Sequence, residues 1–291
     1  MTKATASPKV DRTIQLRDGR QMAFCEWGDL RGRPVVLLHG MPGSRLFCPD
    51  EEATEAAGVR LLTMDRPGYG RSDPRPDRTL LDWADDYIEL ASQLDLPPCP
   101  VLGWSSGGPY ALALGFRAPG RVPTIGLAAS DGPTDQVPGA LDAYSPNGRA
   151  AAELVARDRA AGVVAFNKHC AWYAGDGWQT MFAASWGEAD DRVLANAGTL
   201  GAMRQLLREG ARQGSAGYAA DAIAQSLPWG FSVAEIRQPA YIWCGESDPN
   251  VGRAHTDYLA ESIPRATLVS YPGEGHLFLI SHWGEMLAAL L

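Results

Sequence analysis

The chain has 291 residues, of which 45% are hydrophobic and 21% are charged, and its formal net charge is −8. A chain of this length can bury roughly three quarters of its unfolded surface, so one large domain, with or without an insertion, is expected to fold without disulfides. The negative net charge argues against a general binder of nucleic acid or of anionic membranes.

The cysteines and the lack of long apolar runs indicate a reduced, cytoplasmic protein. The five cysteines are scattered, odd in number and without a C-x-x-C pair, which argues against a disulfide framework and a zinc site. Cys25, Cys99 and Cys244 lie in or beside apolar runs, so we expect them in the core. No stretch has signal-peptide character or approaches the ~18 apolar residues needed to span a bilayer. We therefore expect neither membrane insertion nor a nucleic-acid partner.

Strands and helices are predicted to alternate along most of the chain. Residues 1–10 are polar and are expected to be a disordered tail, and Asp18-Gly19 between two apolar runs predicts a β-hairpin. Val35 to Leu38 is a continuous apolar run, typical of a strand buried on both faces of a parallel sheet. Further strands are predicted at 59–64, 99–102, 122–129, 240–244 and 266–271, and helices at 51–57, 80–94, 110–116, 253–262 and 281–291. This alternation indicates a mostly parallel sheet with helices on both faces.

The segment before the second predicted helix is rich in charge. Four arginines, Arg66, Arg71, Arg75 and Arg78, are interleaved there with four acidic residues, Asp65, Asp73, Asp77 and Asp82. We interpret this segment as a solvated loop. The helix behind it is predicted to begin with a capping box, because Thr79 is followed at the right spacing by Asp82.

The alternation stops in the middle of the chain. Residues 134–229 contain no convincing strand, only helical stretches, and we interpret them as an insertion into a core made of residues 11–133 and 230–291. Six aromatic residues concentrate in this interval: Phe166, Trp172, Tyr173, Trp178, Phe182 and Trp186. They can line an apolar pocket or pack the insertion onto the sheet.

Ser105 is the candidate nucleophile. It is the central residue of Gly103-Trp104-Ser105-Ser106-Gly107, which matches G-x-S-x-G between a predicted strand and a predicted helix. In that context the serine lies on a sharp turn that exposes its hydroxyl, and the flanking glycines leave room for the turn. A glycine-rich connection without chemistry is the alternative, so the assignment needs a base, an acid and an oxyanion site.

His276 is the best candidate base among five histidines. It follows the last predicted strand through a glycine-rich loop, at the carboxyl end where parallel sheets place working side chains. His39 is expected to shape a loop, and His169 lies in the insertion without acidic context. His255 and His282 are expected on surface helices.

Asp248 is the leading candidate for the acid that orients the base. It follows the strand at 240–244 and gives the chain order serine, acid, histidine of one hydrolase superfamily. An aspartate before a helix can also be a helix cap. Glu246, two residues away, and Asp131, at the end of the strand before the insertion, remain alternatives.

Acyl transfer also needs donors for the negative oxygen of the tetrahedral state. One expected donor is the backbone N–H of Ser106, the residue after the nucleophile. The second is expected from the loop after the strand at 35–38. Met41 is the candidate there, since Pro42 has no N–H.

Together these motifs resemble the α/β-hydrolase superfamily. The resemblance covers essentially the whole chain and rests on five stretches: His39-Gly40-Met41-Pro42-Gly43, Asp65-Arg66-Pro67-Gly68-Tyr69-Gly70-Arg71-Ser72, Gly103-Trp104-Ser105-Ser106-Gly107-Gly108, Gly245-Glu246-Ser247-Asp248 and Gly275-His276. It implies an eight-stranded, mostly parallel sheet, with residues 134–229 as a helical lid after the sixth strand. It implies neither a metal nor an organic cofactor.

Within the superfamily, the His-Gly-x-Pro-Gly pattern is similar to that of proline iminopeptidases and related esterases. Those peptidases usually carry Gly where this chain has Met41, and Gly-Ser-Trp-Gly where it has Trp104-Ser105-Ser106-Gly107, which argues against peptidase activity. Ser105 also argues against epoxide hydrolases and haloalkane dehalogenases, which use an aspartate nucleophile.

We therefore expect a cofactor-free serine hydrolase that acts on an ester or related acyl bond of an apolar small molecule. An acyltransferase, a cyclase or another natural-product enzyme could use the same Ser105, Asp248 and His276. A peptidase and a non-catalytic ligand-binding protein on this scaffold are further alternatives. The acyl group and the oligomeric state stay open.

Overall fold

In the computed structural model, which describes residues 8–142 and 144–291, eight strands form one sheet. The strands are β1 Val10–Gln15, β2 Gln21–Gly28, β3 Arg33–Leu38, β4 Val59–Met64, β5 Val101–Trp104, β6 Ile125–Ala128, β7 Ala240–Gly245 and β8 Ala266–Tyr271. Their order is β1-β2-β4-β3-β5-β6-β7-β8. β2 runs antiparallel to both neighbours and all other pairs are parallel, which confirms the mostly parallel sheet.

The start of the chain differs from the predicted disordered tail. Residues 1–7 lie outside the described residues, but β1 begins at Val10 and the Lys9 N–H donates to the Glu26 carbonyl at 2.9 Å. Lys9 and Val10 are ordered by backbone pairing with β2, which the residues next to them in sequence did not reveal. The predicted hairpin is confirmed, with Gly19 at φ +90° in its turn.

Helices surround the sheet in two groups. Those of the core are α1 Glu51–Ala56, α2 Leu80–Gln93, α3 Gly108–Arg117, α10 Arg253–Ser262, α11 Phe278–Ser281 and α12 Trp283–Leu290. Those between β6 and β7 are α4 Pro146–Arg157, α5 Arg159–Cys170, α6 Gly177–Ala184, α7 Glu188–Leu194, α8 Ala197–Gly210 and α9 Ala216–Ser226. The capping box of α2 is confirmed, since Thr79 and Asp82 bond reciprocally. No helix in the described ranges has the length and apolarity that crossing a membrane requires.

Both faces of the sheet are buried at β3, as the apolar run of this strand predicts. Val36 and Leu38 pack with α2 and α3 in one layer, whereas Val35 and Leu37 pack with α12 in the other. Successive side chains of a strand point to opposite faces of the sheet, so these four successive apolar residues contribute to both layers. The predicted core cysteines Cys25, Cys99 and Cys244 are buried and free.

Our interpretation of the charged segment before α2 as a solvated loop is wrong, because several of its charged side chains are buried. Arg66 is 1% exposed, Arg78 is 2% exposed and Asp65 is fully buried. Both arginines pair with Asp221 on α9, and Asp65 pairs with Arg45. Because these partners lie far away in the chain, the local alternation of charges gave no sign of them.

Candidate active site

Ser105 occupies a strained turn between β5 and α3. Its φ is +54°, in the left-handed region that non-glycine residues rarely adopt. The flanking glycines are required by close backbone contacts: a Cβ at Gly103 would lie 2.4 Å from the Gly107 carbonyl oxygen, and one at Gly107 would lie 2.3 Å from that of Leu38. The geometry is that of a nucleophile elbow, which presents its serine at the end of the strand.

The elbow opens into a cavity of about 470 Å³ between the sheet and the inserted helices. The core contributes Met41, Ser105, Ser106, Asp131 and His276 to its lining. Of the six aromatic residues concentrated in the insertion, Phe166, Trp172 and Trp186 also line it. The cavity therefore combines polar groups at the strand ends with an aromatic wall from the insertion.

His276 and Asp248 form a direct hydrogen bond. The Nδ1 atom of His276 lies 2.7 Å from Oδ2 of Asp248, and both side chains are nearly inaccessible. The other oxygen of Asp248 accepts the N–H groups of Asn250 and Val251 at 2.8 and 3.1 Å. The alternative role of Asp248 as the cap of α10 is wrong, because the residue at that position is Gly252. Asp248 holds its own turn with one oxygen and the imidazole with the other.

The surroundings of His276 raise its pKa. Burial alone lowers the pKa of the imidazole, but the Asp248 carboxylate, and to a smaller extent those of Asp190 and Asp131, outweigh burial. The rings of Trp104 and Trp186 flank the imidazole at 5.4 and 6.3 Å. The net pKa lies above the ordinary value of 6.5.

Asp190 is a residue that sequence reasoning missed. It lies on α7, is fully buried, and accepts the N–H of Leu277 at 2.8 Å and that of Gly187 at 3.1 Å. A Cβ at Gly275 would come within 2.4 Å of its Oδ1 atom. Asp190 therefore ties the loop of His276 to the inserted helices. It stands in a polar helical run, where no sequence signal separates it from a solvated residue.

The rival acids occupy different positions. Oδ2 of Asp131 accepts a hydrogen bond from the Ser106 hydroxyl at 2.8 Å, and among the described residues Asp131 bonds no histidine. Glu246 is exposed. Asp248 is thus the candidate acid that contacts His276, while Asp131 lies beside the nucleophile.

Ser105 and His276 line the same cavity, yet no hydrogen bond joins their side chains within the described ranges. Such contacts are often long without substrate and shorten in the reactive complex. A Cβ at Gly40 would lie 3.2 Å from Cβ of Ser105, so the loop of the predicted oxyanion donor Met41 runs directly past the candidate nucleophile. In the part of the chain that the structure describes, the Met41 N–H donates no hydrogen bond.

The remaining histidines divide into structural and cavity-lining residues. His39 is buried and its Nδ1 bonds the Gly40 carbonyl, which confirms its role in shaping the loop. The prediction for His255 is wrong: it is buried, between the Gly132 N–H and the Ala140 carbonyl. Both partners belong to the distant loop after β6. His169 lines the cavity, and burial lowers its pKa.

Comparison with known proteins gives a family and several relatives. A model of the alpha/beta hydrolase fold matches residues 33–282. A pimeloyl-[acyl-carrier protein] methyl ester esterase of Aromatoleum aromaticum is 28% identical over 255 residues, 85% of this chain and 92% of that protein. The non-heme chloroperoxidase CPO-A1 of Kitasatospora aureofaciens is 37% identical over 109 residues, 36% of this chain and 39% of its own length. The match thus spans about two fifths of that relative.

Solved structures share the architecture over nearly the whole chain. A hydrolase from Pseudomonas aeruginosa PA01 has a TM-score of 0.71 at 22% identity and covers 98% of both chains. The esterase EaEST from Exiguobacterium antarcticum has a TM-score of 0.70 at 21% identity and covers 97% of this chain and 98% of its own. At these identities the likeness shows the fold.

Proposed function

Because this chain belongs to the alpha/beta hydrolase fold family, we propose that it is a serine hydrolase that cleaves an ester or related acyl bond of an apolar small molecule. The observation that carries the proposal is the 2.7 Å bond between His276 and Asp248 at the cavity that Ser105 lines. A nucleophile, a base and an acid that orients the base are the three side chains that this form of acyl transfer uses.

In the proposed reaction, Ser105 Oγ attacks the carbonyl carbon of the substrate. The Nε2 atom of His276 takes the hydroxyl proton and then gives it to the leaving alkoxide, so an alcohol departs and an acyl-enzyme remains. A water molecule, deprotonated by His276, releases the acid and restores Ser105. Asp248 stays ionised and stabilises the imidazolium that forms at each step.

We assign the backbone N–H groups of Met41 and Ser106 as the donors that bind the developing oxyanion. Met41 suits this role because its backbone N–H has no hydrogen-bond partner within the described ranges and because Met41 lines the cavity. Each such donor lowers the barrier by about 3 kcal/mol in comparable sites. The side chain of Ser106 takes no part, since Asp131 accepts its hydroxyl.

The cavity lining supports a small, uncharged substrate. Its volume of about 470 Å³ falls in the range of small-molecule sites. Aromatic side chains of the insertion form one wall, and the lowered pKa of His169 favours its neutral form. We assign residues 134–229 as a cap that closes the site and sets the size of the acyl or alcohol group.

The test is labelling by a fluorophosphonate probe together with hydrolysis of a p-nitrophenyl ester. Ser105→Ala is expected to lose labelling and to lower kcat at least 1,000-fold, because the nucleophile is removed. Ser185→Ala is the matched control, a serine of the same cavity that the proposed reaction does not use, and is expected to keep both. Labelling or ester turnover that survives in Ser105→Ala would refute the assignment.

A further inference from the structure

A buried cluster of charges lies beneath the loop that carries Met41. Arg66, Arg78 and Asp221 have side chains that are 0–1% exposed. Nε and Nη2 of Arg66 donate to Oδ2 of Asp221 at 2.8 and 2.6 Å. Arg78 and the Tyr110 hydroxyl donate to the other oxygen of Asp221, the hydroxyl at 2.7 Å. Asp221 belongs to α9 of the insertion, so the cluster joins the insertion to the core.

The Arg66 guanidinium also binds the loop that carries Met41. Nη1 donates to the His39 carbonyl at 2.5 Å, and Nη2 donates to the Gly40 carbonyl at 2.9 Å. The Gly40 carbonyl also lies 2.7 Å from Nδ1 of His39. This carbonyl and the Met41 N–H are the two ends of one peptide group.

The protonation of His39 follows from its contacts. Burial, followed by the charge of Arg66, lowers the pKa of His39 well below its ordinary value, so its imidazole is neutral. Its Nε2 accepts the backbone N–H of Arg66 at 3.4 Å, which leaves the proton on Nδ1. His39 Nδ1 therefore donates to the Gly40 carbonyl, and that oxygen accepts two hydrogen bonds, one of them from a cation.

We propose that Arg66 positions and polarises the Gly40–Met41 peptide as an oxyanion donor, and that Asp221 makes this arrangement depend on helix α9. The inference rests on the proposed acyl-transfer function. A charge-assisted bond is roughly twice as strong as a neutral one, and a peptide polarised at its carbonyl becomes a stronger donor at its N–H. Among the described residues the donor end, the Met41 N–H, has no partner, and Met41 lies at the cavity where the substrate oxygen would bind.

The balance of charge acts in the same direction. Two guanidinium groups share the one carboxylate of Asp221, so these three side chains carry one excess positive charge. Of the two guanidinium groups, that of Arg66 lies one peptide group away from the Met41 N–H. It stabilises a negative oxygen more than a neutral carbonyl, which is the differential binding that accelerates a reaction.

The test is Arg66→Lys, because lysine keeps the charge but cannot hold Asp221 and both carbonyls at once. We expect kcat to fall about 10- to 100-fold, less than for complete loss of an oxyanion donor, with KM changed less than twofold. A trifluoromethyl ketone, which forms an oxyanion adduct with the serine, is expected to lose affinity by the same factor as kcat. The corresponding secondary alcohol, which forms no adduct, is expected to bind unchanged.

Arg78→Lys is the matched control, since Arg78 is equally buried and binds the same carboxylate but does not touch the Gly40 carbonyl. It is expected to lose stability while keeping kcat and ketone affinity. If Arg66→Lys does not fold, Asp221→Glu tests the proposal instead. This variant keeps the charges of the cluster but displaces the guanidinium of Arg66, so kcat and ketone affinity are expected to fall together.

The two proposals fail in different ways. A folded Arg66 variant that reacts normally with fluorophosphonate and binds the ketone as tightly as the wild type would overturn the role of Arg66 alone. Equal losses in Arg66→Lys and Arg78→Lys would also overturn it, by showing a general effect of the cluster. A wild-type protein that fluorophosphonate does not label at Ser105 would overturn both proposals.

Discussion

At the scale of single residues, the pKa of His276 controls the pH range in which the proposed site can act. The imidazole is a base only while it is neutral. Burial lowers its pKa, but Asp248, Asp190 and Asp131 together raise it above the ordinary value of 6.5. Activity is therefore expected to be full above that raised pKa and to be lost as the pH falls through it.

Asp131→Asn is expected to move this acid limb to lower pH. The substitution removes one of the carboxylates that favour the charged imidazolium, while asparagine can still accept the hydrogen bond of Ser106. The measurement is kcat/KM against pH, with Asp135→Asn as a control because that aspartate is exposed and nearby in sequence. A limb that stays in place or moves to higher pH would contradict the assignment.

At the scale of elements, local sequence defines most helices and strands well. β4, β8 and α10 coincide with their predicted ranges, since their apolar patterns and flanking turns are local signals. The last predicted helix, 281–291, begins later than predicted: α12 starts at Trp283, and the separate short helix α11 ends at Ser281, with a break at His282. That histidine stacks on Tyr271 of β8 at 3.8 Å, a contact that no local pattern predicts.

Helix α7 is expected to hold the loop of His276 through Asp190. Asp190→Ala leaves the N–H groups of Leu277 and Gly187 unpaired, so we expect a loss of about 1–3 kcal/mol in the free energy of unfolding. We also expect kcat to fall, because the base is no longer held in place.

Denaturant unfolding and ester kinetics measure the two effects. Asp191→Ala is the matched control, since Asp191 is the next residue of the same helix and is exposed. Equal effects of the two substitutions would show that Asp190 has no special role.

At the scale of the whole molecule, the insertion closes one side of the cavity, and its residues are expected to set substrate size. Ala183 and Ala184 are adjacent on α6 and both exposed, but of the two only Ala184 lines the cavity. Ala184→Leu is therefore expected to raise KM several-fold for long-chain esters and to leave short-chain esters unchanged.

Kinetics over a series of p-nitrophenyl esters, with Ala183→Leu as the control, measure this effect. The same loss for every chain length, or an equal effect of the control, would argue against a size-limiting cap.

The sequence by itself determined the alternating core and the helical interval within it, and it suggested the residue types of the candidate site. These features depend on patterns within about ten residues: apolar runs, turn residues, and a serine, an aspartate and a histidine that each follow a strand. Local sterics and the period of each element produce such patterns, so they can be read without a partner.

Only the tertiary structure decided how the polar side chains pair. It brought Asp248 rather than Asp131 to His276, buried Arg66 against Asp221 of α9, and placed Asp190 behind the His276 loop. These contacts join segments that are separated by 28 to 155 positions. A buried charge is stable only beside its partner, and which partner lies near depends on how the whole chain folds rather than on its neighbours in sequence.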